Sequence, residues 1–212
     1  EGTIKGIVVT GCLAERFRED IRKELPEVDA VLGIGCNGDI VAAVEQALAG
    51  RDFEKFGDKY DLALEGERVL TTPKYTAYVR TSDGCDNCCT YCTIPKIRGR
   101  FRSRKKEDIV AETRSLAARG VKEIVLIAQD TTMYGRDLYG EPKLAELLDE
   151  LCKIDGIEWI RMLYTYPDLI TDKLLDTMAR QEKVLNYLDI PLQHCDGDIL
   201  KRMNRKGDRR SL

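Results

Sequence analysis

Residues 81–92 read Thr81-Ser82-Asp83-Gly84-Cys85-Asp86-Asn87-Cys88-Cys89-Thr90-Tyr91-Cys92, and four of the chain's eight cysteines crowd into the last eight of these positions. The run follows directly on 76–81, a stretch that reads as a buried strand. It therefore occupies a loop at a strand's carboxyl end. Working outward, strand-like segments recur at 123–128, 159–164 and 187–190. Helical periodicity fills the intervals near 107–118, 143–152 and 172–180. Strands alternating with helices specify a parallel sheet, here an open or partial (β/α) barrel. Active sites in such folds gather at the carboxyl ends of the strands. The face Leu144, Leu147, Leu148 and Leu151 reads as core packing.

Upstream lies a smaller block of the same kind. Residues 6–10 (GIVVT) and 30–34 read as strands. The first helix carries Phe17, Ile21 and Leu25 on one face and stops at Pro26. Asp39 is positioned to cap a second helix bearing Ile40, Val44 and Leu48, with Gly50 closing it. The expected organisation is α/β: a small parallel βαβ amino-terminal domain over 1–50, a charged linker over 51–73, and a partial barrel over 74–212 that stops after its fourth strand. Both ends read as cut, so the chain is expected to be a fragment.

Composition narrows the classes. The chain has 212 residues, a 43% hydrophobic content and a formal charge of −3, which allows a buried core and marks no general polyanion binder. It contains no long apolar run and no signal-peptide pattern, so no membrane association is expected. A disulfide scaffold would be smaller and loop-rich. Clustered cysteines in a chain of this size point to metal ligation in a reducing, cytoplasmic compartment.

Cys85, Cys89 and Cys92 have the spacing C-x3-C-x2-C. Three thiolates can hold three irons of a [4Fe–4S] cluster and leave the fourth open, as a catalytic metal site requires. S-adenosylmethionine can chelate that open iron, and electron transfer into its sulfonium yields a 5′-deoxyadenosyl radical. A zinc knuckle would need a second ligand pair nearby. Adjacent Cys88 and Cys89 are poor disulfide partners. Cys88 is left as a spare thiol or an alternative ligand.

With Tyr91 just before its last cysteine, this motif resembles that of radical-SAM enzymes, and within them the methylthiotransferase family along essentially the whole chain. Ile94-Pro95-Lys96-Ile97-Arg98-Gly99 with Ser103-Arg104 is similar to the family's segment after the cluster. The segment 9–16 (VTGCLAER) resembles its third amino-terminal cysteine motif, and Leu200-Lys201-Arg202-Met203-Asn204-Arg205 is a further match. The resemblance implies two [4Fe–4S] clusters. Cys85, Cys89 and Cys92 would hold the radical cluster. Cys12 would be one of three ligands of an auxiliary cluster, the other two lying upstream. It also implies S-adenosylmethionine as methyl and radical source, and a reductant such as flavodoxin or ferredoxin. Tyr91 would pack beside the adenine, and Gln129, Asp130 and His194 would line the cofactor site. From the residues alone, Cys12 reads as a buried thiol, Asp130 as a helix cap and the lone His194 as a hydrogen-bonded structural residue.

Three strand ends bear on the substrate. Gln129-Asp130-Thr131-Thr132, Leu163-Tyr164-Thr165-Tyr166-Pro167 and Pro191-Leu192-Gln193-His194 resemble the branch that modifies the β-carbon of an aspartate in the twelfth small-subunit ribosomal protein. The tRNA-adenosine branch carries Gln-Asn-Val, Ser-His-Pro and Pro-Val-Gln-Ser there. That branch is the alternative enzyme, and a non-catalytic metal-binding module is the alternative of another class. The basic run over 96–106 leaves nucleic-acid contact open, although part of it reads as support for the cysteine loop.

Overall fold

The computed structural model describes residues 3–66 and 68–210. The chain divides into two units, Glu1–Ala63 with Thr93–Gly99, and Leu64–Cys92 with Arg100–Leu212.

In the first unit, β1 (Val8–Val9), β2 (Ala30–Leu32) and β3 (Phe53–Lys55) form a parallel sheet in that order. The helices are α1 (Cys12–Arg16), α2 (Arg18–Glu24), α3 (Ile40–Leu48) and the short α4 (Ile94–Arg98). The third strand lies inside the stretch expected to be a linker. Its register of Ala30 with Phe53 and Leu32 with Lys55 satisfies the outer edge of β2, which is buried along its whole length. Charged side chains hid it, because only one face of this edge strand is covered.

The face of α3 also differs from expectation. Ala43 and Ala47 are buried, whereas Ile40, Val44 and Leu48 are exposed. Small side chains let the helix approach the sheet closely. Asp39 precedes α3 but makes no side-chain capping bond, and its carboxylate pairs with Lys55 Nζ at 3.0 Å. The expected first helix is broken at Phe17 into α1 and α2; Ile21 is buried, and Phe17 and Leu25 stay partly exposed. Gly35 packs so close to the Asp58 carbonyl that a Cβ there would sit 1.9 Å from its oxygen.

In the second unit, β4 (Thr76–Arg80), β7 (Glu123–Ile127) and β8 (Trp159–Met162) form a parallel sheet in that order, and β5 (Ser82–Asp83) pairs antiparallel with β6 (Arg102–Ser103). Helices α5 (Lys106–Ala118), α6 (Arg136–Tyr139), α7 (Leu144–Cys152), α8 (Asp172–Arg180) and α9 (Gly197–Arg202) complete it. Ala77, Val79, Ile124, Leu126, Ile160 and Met162 alternate along the strands onto one core, where α7 contributes Leu144, Leu147, Leu148 and Leu151. Each such leucine is at most 2% exposed, worth about 1.5–3 kcal/mol of burial.

The expected fourth strand is not formed. The segment joins the sheet only through a bridge between Ile160 and Val184, and 187–190 is irregular. Past β8, Tyr164 turns to φ 58°, its amide is taken by the Asp189 carboxylate at 3.0 Å, and the Thr165 amide goes to the Asp189 carbonyl at 2.9 Å. The Tyr164 amide is thereby spent on a side chain, leaving a single backbone bond to Asp189 in place of a ladder. Among the described residues, no helix is long and apolar enough to cross a membrane.

Candidate active site

The cysteine loop is built directly on β4. The Thr81 amide donates to the Ile127 carbonyl at 2.9 Å, and the Arg104 amide to the Thr81 carbonyl at 2.9 Å, so the loop's entry is pinned to β7 and to the strand returning after it. The β5–β6 ladder frames its base, where buried Asp83 pairs with Arg102 at 3.1 Å. Gly84 then turns the chain at φ 73°, a region glycine enters without steric cost.

Within the loop, Cys85 is buried, Cys89 and Cys92 are half-buried, and Cys88 is exposed. Burial pushes the Cys85 thiol up to about 11; the charges of Asp130, Cys89 and Cys92 push the same way, against the Asn87 amide, which donates to it. Cys85 thus lies within electrostatic reach of both Cys89 and Cys92, and a bound iron cation would relieve what burial and these charges impose on it. Among the described residues no three His, Cys, Asp or Glu side chains gather to hold a single metal ion. Cys85, Cys89 and Cys92 are three free thiols on one loop, and thiolates of this kind are the ligands that a cluster takes on separate irons, so the chemistry of the donor set fits a cluster.

Neighbouring groups hold the loop from both sides. The Asp86 carboxylate accepts from Arg100 Nε at 2.7 Å and Nη2 at 3.0 Å and from the Phe101 amide at 3.0 Å. The Arg100 guanidinium keeps this carboxyl below its usual range. Asn87 Nδ2 donates to Asp130 Oδ2 at 2.8 Å, tying the loop to the end of β7. Cys88 sits at φ 50°, a left-handed conformation costing a non-glycine residue about 1–2 kcal/mol. Its carbonyl is held by Asn204 Nδ2 at 2.9 Å.

The residues expected to line a cofactor site are distributed unevenly. Tyr91 is 52% exposed; partial burial and the neighbouring Cys89 raise its phenol, against the charge of Arg205. Gln129 faces solvent at the end of β7. Asp130 is 1% exposed and caps the turn after β7 by accepting from the Thr132 amide at 3.1 Å and the Thr132 hydroxyl at 2.5 Å. His194 is exposed, and its Nδ1 accepts from the Asp196 amide at 2.9 Å. Cys12 opens α1 in the first unit, half-buried, and Cys36 is packed in that unit's core.

Sequence reasoning missed Arg205 and Asn87 as members of this site. Their link to it is tertiary, and only the short match over 200–205 signalled that the carboxyl-terminal segment mattered. Beside the loop lies a cavity of ≈ 690 Å³, lined by Asn87, Phe101, Met133, Tyr166, Asn204 and Arg205 among others, within the size range of small-molecule sites.

Comparisons with known proteins give the family and the fold. The chain is 50% identical over 212 residues to "Ribosomal protein uS12 methylthiotransferase RimO" of Lachnoclostridium phytofermentans, covering 100% of the chain and 48% of the relative. It is 47% identical over 210 residues to the protein of the same description from Thermoanaerobacter sp., covering 99% and 48%. The chain thus spans about half the length of these curated relatives. Among solved structures, it superposes on the radical S-adenosylmethionine methyltransferase TsrM from Kitasatospora setae with TM-score 0.69 at 12% identity, covering 97% of this chain and 46% of that one. The cobalamin-dependent S-adenosylmethionine radical enzyme OxsB matches with TM-score 0.61 at 15% identity, covering 97% and 33%. These two likenesses establish the fold. Residues 79–211 match the Radical SAM superfamily, and the chain belongs to it.

Proposed function

We propose that this chain carries the radical centre of a methylthiotransferase acting on the β-carbon of an aspartate in the twelfth small-subunit ribosomal protein. The observation that carries the reading is the loop of Cys85, Cys89 and Cys92, mounted past the carboxyl end of β4 in a parallel sheet, with Cys85 buried and Cys89 and Cys92 half-buried. The choice of substrate rests on identities of 47–50% to relatives described as uS12 methylthiotransferases, and on the strand-end segments 129–132, 163–167 and 191–194.

In this reading Cys85, Cys89 and Cys92 hold a [4Fe–4S] cluster. When bound, the cluster and S-adenosylmethionine supply the one-electron chemistry that activates a C–H bond. The protein's own residues do the positioning. Tyr91 and Gln129 are solvent-facing, so they are the groups available to the cofactor, Tyr91 beside its adenine. Asp130 and His194 would line the cofactor site with them, while Asp130 also caps the turn after β7 and His194 Nδ1 accepts from the Asp196 amide. Cys12 is assigned to an auxiliary cluster completed by ligands outside this chain. A low-potential flavodoxin or ferredoxin would supply electrons in the cytoplasm, and the basic run over 96–106 leaves a nucleic-acid contact open.

The test is anaerobic reconstitution with iron and sulfide, followed by dithionite and S-adenosylmethionine and an assay for 5′-deoxyadenosine. A cluster and 5′-deoxyadenosine, both absent from Cys89→Ala, are expected. Zinc uptake without a cluster would overturn the reading in favour of a metal-binding module. Methylthiolation of tRNA but not of the ribosomal protein by the full-length enzyme would overturn the substrate.

A further inference from the structure

Residues 203–205 close on the cysteine loop from more than a hundred residues away. The segment leaves α9, whose amino end is capped by Asp196 Oδ1 accepting from the Asp198 amide at 3.0 Å and the Ile199 amide at 3.1 Å. Leu200, 1% exposed, anchors that helix in the unit. Asn204 then turns at φ 54°, and the Arg205 amide returns to the Leu200 carbonyl at 2.8 Å.

This geometry directs three successive residues at the loop. The Met203 carbonyl accepts from the Thr90 amide at 3.1 Å. Asn204 Nδ2 donates to the Asn87 carbonyl at 3.2 Å and the Cys88 carbonyl at 2.9 Å. Arg205 Nη1 donates to Cys89 Sγ at 3.8 Å, while Nη2 donates to the Pro191 carbonyl at 2.7 Å. The guanidinium carbon lies 4.2 Å from the centroid of the Tyr166 ring. Every loop residue from Asn87 to Thr90 is therefore held by this segment.

Arg205 is only 8% exposed, and its plane is fixed by the ring below it and the carbonyl beside it. A fixed, largely desolvated cation acts on a neighbouring sulfur with little screening. Hydrogen bonds to cluster sulfurs and local net charge set the potential of an iron–sulfur centre. The reduced state carries one more negative charge than the oxidised state, so a nearby cation stabilises it more.

We propose that Met203–Asn204–Arg205 is a clasp on the cluster loop, and that Arg205 is a positioning residue that eases reduction of the cluster through Cys89. The inference rests on the assignment of the cluster to Cys85, Cys89 and Cys92. The step is the entry of one electron from an external low-potential reductant, with no bond made or broken. The two residues divide the work: Asn204 holds the backbone of the loop, and Arg205 sets the charge at the thiolate.

The experiment is a dithionite potentiometric titration of the reconstituted chain followed by electron paramagnetic resonance, with iron release to a chelator measured in parallel. Arg205→Gln, which keeps an N–H donor and loses the charge, is expected to lower the reduction equilibrium about tenfold, the size of a charge-assisted hydrogen bond, or about 59 mV for a one-electron couple. Arg205→Lys is expected to recover most of that shift. Asn204→Ala is expected to speed iron release and leave the potential in place. The potential is read on the loaded fraction, so incomplete loading of a variant does not obscure it. An unmoved potential in Arg205→Gln, or an equal shift in Asn204→Ala, overturns the inference alone. Failure of the unsubstituted chain to take up a cluster overturns the cofactor reading beneath it.

Discussion

Replacing Asp130 separates the two jobs its carboxylate performs. It accepts from the Thr132 amide, the Thr132 hydroxyl and Asn87 Nδ2, at 3.1, 2.5 and 2.8 Å. It therefore both caps the turn after β7 and ties the cysteine loop to that strand end. Asp130→Ala removes three acceptor contacts at about 1 kcal/mol net each. Release of a buried carboxylate offsets part of this, leaving an expected loss of about 2–3 kcal/mol. Asp130→Asn retains an oxygen for Thr132, and rotation of the Asn87 amide lets it accept from the new side chain, so the expected loss at neutral pH is about 1 kcal/mol or less. The sign of the pH dependence follows from burial, which raises the Asp130 carboxyl above its ordinary 3.8. A raised acid is most favourable to the fold while protonated in both states, and its contribution falls as pH rises through the folded-state value. Asp130→Asn lacks that loss, so its stability relative to the parent chain should improve as pH rises from the ordinary carboxyl value of 3.8. Urea unfolding followed by the fluorescence of Trp159, the sole tryptophan, reports the unit that contains β8. An Asp130→Ala midpoint equal to the parent's, or Asp130→Asn as damaging as Asp130→Ala, would refute the reasoning. So would a double-mutant cycle with Asn87→Ala that gave no coupling.

Two further substitutions test the scaffold under the loop. Leu148→Ala empties a fully buried position on α7 and should cost about 2–5 kcal/mol in the same unfolding assay. Arg104, whose side chain is 4% exposed, donates to Glu112 Oε2 at 2.6 Å, to Glu65 Oε1 at 2.6 Å and to the Arg80 carbonyl at 2.7 Å. Arg104→Met should cost about 2–3 kcal/mol, below the range for a fully buried pair because Glu65 is half-exposed. Restoration of most of that stability by Arg104→Met with Glu112→Leu would be expected, and a neutral single variant would exclude a structural role for the pair.

The sequence by itself determined what rests on short-range spacing. Strands β4, β7 and β8 and helices α5, α7 and α8 appear within about two residues of their expected bounds, because periodicities of 2 and 3.6 are set by side chains near in sequence. The position of Cys85, Cys89 and Cys92 at a strand's carboxyl end was legible for the same reason. The tertiary structure decided everything that depends on what a segment meets. It placed β3 in a charged stretch that looked like a linker, since an edge strand is recognised by its partner and not by its own apolar pattern. It turned the alanines of α3 inward and left the larger Ile40, Val44 and Leu48 exposed, because the room beneath a helix is set by the sheet. It reduced the fourth strand to a bridge between Ile160 and Val184, and past β8 the Tyr164 amide turned to the Asp189 side chain instead of a backbone carbonyl. And it brought Asn204 and Arg205 onto the cysteine loop across 116 residues, a contact with no local signature because its cause is chain closure and not spacing.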